Sequence, residues 1–107
     1  MKVSSLVQPL FDELAAAMDA ELMPKVIDLL VEIAQHLIER NDKARAVEIL
    51  SLALLYPMRA LTLDLAESLY NDLESELCPR VMTDARDLAE LLTLEDMVRL
   101  LIAEHAE

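Results

Sequence analysis

The chain has no glycine and no tryptophan. Without glycine, tight β-hairpins lose the residue that their positive-φ turns prefer. Phosphate-cradling loops lose the backbone that can approach a ligand closely. Aromatic residues make up only 3% of the sequence, so any core must be aliphatic. A single cysteine, Cys78, admits neither an internal disulfide nor a multi-thiolate metal site. It reads as a small buried or boundary residue in a reducing compartment. Long apolar runs are missing too. The longest, Leu52 to Met58, falls far short of the roughly 20 residues that cross a bilayer. The opening MKVSSLVQPLFDEL lacks the apolar centre of a signal peptide. The expectation is a cytoplasmic chain with no membrane span.

Cations are scarce as well. Nine Lys and Arg face twenty-one Asp and Glu, for a formal charge of −12. Divided at Asn41 and Cys78, each third holds three bases against seven acids, a net −4. No basic arm hides inside the total, which argues against direct binding to nucleic acid or anionic lipid. The acidity itself serves solubility in a chain that is 55% hydrophobic.

What is present is Leu, Ala, Met and Glu in quantity, and these favour helix almost everywhere. The 107 residues suffice for one core, so a single all-α domain over 1–107 is expected. Ser5 and Gln8 have capping-box spacing, and Leu6, Val7, Leu10, Phe11, Leu14 and Met18 form one helical stripe fading near Leu22. Pro24 biases Met23 towards an extended backbone and opens a second helix reaching Arg40. Its apolar positions, from Val26 to Ile38, cover more than half the circumference, which places it between neighbours. Asn41 suits a left-handed helix end, and Asp42 an N-cap. A third helix covers Lys43 to Tyr56, stopped by Pro57. The second and third helices thus form a proline-bounded antiparallel hairpin, 24–57. Beyond it, 59–105 reads as three further helices. The fourth, from Arg59 or Leu61 to Leu77, carries the stripe Leu63, Ala66, Leu69, Tyr70, Leu73, Leu77. The fifth starts at Pro79. The sixth, Leu94 to His105, follows a Thr93–Asp96 capping box.

Within the hairpin, Leu30, Ile33, Ala34 and Leu37, then Ala46, Leu50 and Ala53, have small and large side chains at the spacing of a tetratricopeptide repeat. Pro57 comes one residue early for that pattern, and Asn41 stands where a glycine is usual. The sequence resembles that family, and the resemblance implies about six antiparallel helices in a helical-hairpin stack. The run KARAVEILSLALLYP, then LAESLYNDLESEL and LTLEDMVRLLIAE, also resembles the C-terminal end of the helical arrays in bacterial signalling ATPases and transcriptional regulators of the AfsR, MalT and LuxR types. That likeness implies a regulatory end cap. Neither a G-x-x-x-x-G-K-[ST] motif nor a basic recognition helix accompanies it.

The tetratricopeptide resemblance implies a groove lined by the hairpin's first helix at Asp28, Val31, Gln35, Ile38 and Glu39. Val31 and Ile38 either line that groove or pack on the first helix. An acidic rim around apolar positions suits a basic, amphipathic partner segment. The broad apolar faces of the second and third helices add homo-oligomerisation as an expectation. Catalytic chemistry is poorly signalled. Glu32 and His36 could hold one edge of a metal ion, but a zinc site needs a third and fourth ligand. No catalytic set, cofactor or metal site is therefore expected. The sequence reads as a non-catalytic protein–protein interaction module.

Overall fold

A computed structural model describes residues 8–105. These form six helices: α1 (Gln8–Asp19), α2 (Met23–Glu39), α3 (Lys43–Ala53), α4 (Ala60–Glu76), α5 (Pro79–Leu91) and α6 (Leu94–His105). No strand occurs among the described residues, so the fold class is all-α, as the composition requires. The Ser5–Gln8 capping box lies outside the described residues.

The first two connections share one geometry. Asn41 adopts φ 67°, while the Asn41 and Asp42 amides donate to the carbonyls of Ile38 (2.9 Å) and Leu37 (2.8 Å). This is a Schellman ending, in which a left-handed residue turns the chain back over the last carbonyls. Glu21 repeats it at φ 59°, with the Glu21 and Leu22 amides reaching Met18 (3.0 Å) and Ala17 (2.9 Å). The asparagine was legible as a left-handed residue; the glutamate was not. A β-carbon in this region costs roughly 1–2 kcal/mol. Glu21→Gly should therefore stabilise the fold by about 0.5–1 kcal/mol, since glycine gives back part of the gain as chain entropy. Urea unfolding of the two chains checks this.

Three local expectations need correction. Met23 is already helical, because the Glu21–Leu22 reversal absorbs the change of direction before Pro24. Asp42 occupies the N-cap position of α3 but makes no side-chain cap bond. α3 also ends at Ala53, earlier than expected. Leu55 and Tyr56 continue the turn with amide bonds to Leu52 (3.0 Å) and Ala53 (3.1 Å), a tightening that Pro57 imposes on the residues before it. The α6 cap forms as its spacing predicts. The Asp96 amide donates to Thr93 Oγ1 at 3.0 Å, and the Thr93 amide to Asp96 Oδ2 at 3.2 Å. Thr93→Ala should remove about 1 kcal/mol of stability, read as a lower urea midpoint.

The core is organised about α3. Seven of its eleven residues are buried, among them Val47, Ile49, Leu50 and Leu52, and it packs against α2, α4, α5 and α6. The α2 face buries Val26, Ile27, Leu29, Leu30, Val31, Ile33, Ala34 and Leu37. That breadth follows from its place between α1, α3 and α4. α6 buries Leu94, Met97, Val98 and Leu101 and packs on α1 as well as α3. In an extended stack of hairpins each unit touches its neighbours only. Here the first and last helices also meet. The radius of gyration, 12.9 Å, is close to the roughly 13 Å of a closed domain of this length.

α4 is the exception. Of its seventeen residues only Ala66 and Leu73 are buried, and the rest of its predicted stripe is half-buried. It packs on α3 and α2, and barely touches α5 despite the short Leu77–Cys78 link. Cys78 sits in that link, exposed.

Candidate interaction surfaces

The five positions expected on a groove do not share one environment. Val31 is 1% exposed and belongs to the core, so it offers a partner nothing. Ile38 is half-buried and packs against the core. Asp28 is a structural tie: it accepts a hydrogen bond from Thr62 Oγ1 at 2.7 Å and pairs with Arg59. The two bonds fasten the start of α4 to α2. Gln35 is half-buried, while Glu39 is exposed with His36 Nδ1 at 3.7 Å from its carboxylate. Asp28 and Val31 thus have structural employment, leaving Gln35, Ile38 and Glu39 as a narrow accessible strip. Sequence spacing places the five positions on one helix, but not in one environment. It is blind to α4 packing on that helix.

Ion pairing explains where the few cations go. Lys43 pairs with Glu76, joining α3 to α4, and Arg45 pairs with both Glu48 and Glu104, joining α3 to α6. Arg59 holds Asp28, Arg99 pairs with Glu95 at 2.6 Å, and Arg86 Nη1 donates to the Tyr70 hydroxyl at 3.2 Å. Most of these bonds tie one helix to another. Individually such exposed pairs contribute little stability. Collectively they engage Lys43, Arg45, Arg59, Arg86 and Arg99, five of the nine Lys and Arg in the chain.

The Arg45 cluster has a pH signature. Burial raises the Glu48 carboxyl above its usual range; Arg45 opposes the shift, and Glu104 and Asp42 add to it. A carboxyl whose folded pKa is raised favours folding below its unfolded pKa, and this contribution is lost as pH rises through the folded value. Glu48→Gln cannot ionise. The stability difference between variant and wild type should therefore move in the variant's favour as pH rises above 4.5, the group's ordinary value. Urea unfolding across that range measures it, and movement the other way would show that Arg45 dominates burial.

The Glu32–His36 pair does not extend into a ligand set. Among the described residues no group of three or more His, Cys, Asp or Glu could hold a metal ion. No described helix is long and apolar enough to cross a membrane.

Large apolar side chains are exposed at Leu22, Met23, Leu55, Leu61, Leu65 and Leu91; of these, Leu61 (84% exposed) and Leu65 (38%) stand one helical turn apart on α4. α4 carries five carboxylates (Asp64, Glu67, Asp72, Glu74, Glu76) and no Lys or Arg. Leu61 and Leu65 fell outside the stripe read from the sequence, because Leu63, Ala66, Leu69, Tyr70 and Leu73 already satisfied its period. That surplus was the available signal. Comparison with protein-family models, curated proteins and solved structures finds no match to the chain.

Proposed function

We propose that the chain is a non-catalytic, tetratricopeptide-like protein–protein interaction module whose partner surface is the outer face of α4. One observation carries the reading. Leu61 and Leu65 are exposed on a helix with five carboxylates, no cation and only two buried residues. Exposed leucines on a helix whose own charges are all negative suit a basic amphipathic helix, with apolar contact giving affinity and charge giving orientation. Self-association through the same leucines is disfavoured, since it would set two acidic α4 helices against each other. The resemblance to helical arrays in bacterial regulators is compatible with a signalling scaffold of this kind.

Capture of partners from cell extract by the wild-type chain and by Leu61→Glu/Leu65→Glu tests the proposal. A discrete set of proteins should be retained by the first and lost from the second. Equal capture by both chains would count against α4.

A further inference from the structure

A pocket of about 190 Å³ opens where α3, α4 and α5 meet. α4 and α5 pack little on each other, and the end of α3 lies at the space between them. Leu54 and Ala89 give it apolar walls, and Tyr70 closes the α4 side. The volume suits a single aromatic group, since a dry cavity of roughly 150 Å³ accepts benzene.

Three polar features border this space. Ser51 is 7% exposed, and its Oγ is buried with no hydrogen-bond partner. Buried hydroxyls are normally satisfied, and an unsatisfied one is a site with spare capacity. Arg86, also lining the pocket, uses one of its five N–H donors on the Tyr70 hydroxyl. Glu90 lines it as well and forms no ion pair or side-chain hydrogen bond with the described residues. Arg86 and Glu90 stand four apart on α5, so their β-carbons are about 6 Å from each other. The order, cation before anion along the helix, is the weaker one for mutual pairing. One side of the pocket thus presents a cation and an anion that do not neutralise each other, beside an apolar recess.

From this juxtaposition we infer that the pocket is a binding site for a free aromatic α-amino acid. The ring fills the recess, the carboxylate pairs with Arg86 and the ammonium with Glu90. This inference is independent of the α4 surface, because Leu61 and Leu65 do not line the pocket.

L-tryptophan is the direct probe, since the protein has no tryptophan of its own. Its emission should shift to the blue on titration, with a Kd on the order of 1 mM. Tryptamine, which lacks the carboxylate, and N-acetyl-tryptophan, which lacks the ammonium, should each bind about threefold more weakly, as partly exposed charge contacts predict. Arg86→Gln should abolish the advantage of tryptophan over tryptamine, and Glu90→Gln its advantage over N-acetyl-tryptophan. Both positions are on the exposed side of α5, so both variants should fold. Backbone amide shifts should fall on Leu54, Ala89 and Glu90. No saturable binding up to about 10 mM, or equal binding of all three compounds to the wild type, would overturn the inference.

Discussion

Replacing Leu50 with alanine should destabilise the fold by about 3–4 kcal/mol, the upper part of the range for large-to-small core substitutions. Leu50 is fully buried in the middle of α3, and α3 is the helix against which α2, α4, α5 and α6 all pack. Two effects add. The lost methyl groups forfeit their transfer free energy, and the space they vacate is walled by several helices that cannot all move inward at once. Domains of this size are stable by roughly 5–15 kcal/mol, so the variant should stay folded near room temperature with a sharply lower urea midpoint. A contrasting substitution sharpens the test. Leu69→Ala removes a half-buried leucine from the loosely packed α4 and should cost less than half as much. Equal losses at the two positions would mean that α3 is not the centre of the core.

Much of this architecture was legible residue by residue. Asn41 announced a left-handed helix end because its short amide side chain tolerates positive φ; Thr93 and Asp96 announced a cap because their spacing allows reciprocal bonds. Pro79 opened α5 as a residue with no amide proton to lose. These are local effects, decided within a few residues. Glu21 is local too, yet illegible, since glutamate has no preference for the left-handed region and only the docking of α1 on α2 requires it there. The packing of α6 on α1 belongs to another category. Apolar spacing says that a face is buried without naming what covers it. Val31 is lost to the core for that reason, since α2 is packed between α1, α3 and α4, and Asp28, half-buried, is also the anchor for Thr62 and Arg59.

The proposed partner surface rests on the converse test, apolar residues that the fold leaves exposed, Leu61 and Leu65 on α4. Leu61→Glu/Leu65→Glu should cost no more than about 1–1.5 kcal/mol of stability, because Leu61 is 84% exposed, Leu65 is only partly covered and glutamate is a good helix former. Its effect on association should be larger. Leu65 has only 38% of its surface left to bury, so covering both leucines is worth about 2 kcal/mol, and a partner that does so should bind about 30-fold more weakly to the double variant. Added salt should weaken the wild-type complex without abolishing it, since screening acts on the α4 carboxylates and leaves the apolar contact in place. Loss of binding on salt addition alone would assign the surface to charge and leave the leucines without a role.

The most direct measurement is an amide chemical-shift titration of the folded protein with a basic amphipathic helical peptide of leucine and lysine. The account predicts saturable shifts concentrated between Ala60 and Asp72 on α4, with none of comparable size when Leu61→Glu/Leu65→Glu is titrated. Shifts scattered over the carboxylates of all six helices, or unchanged in the double variant, would contradict it.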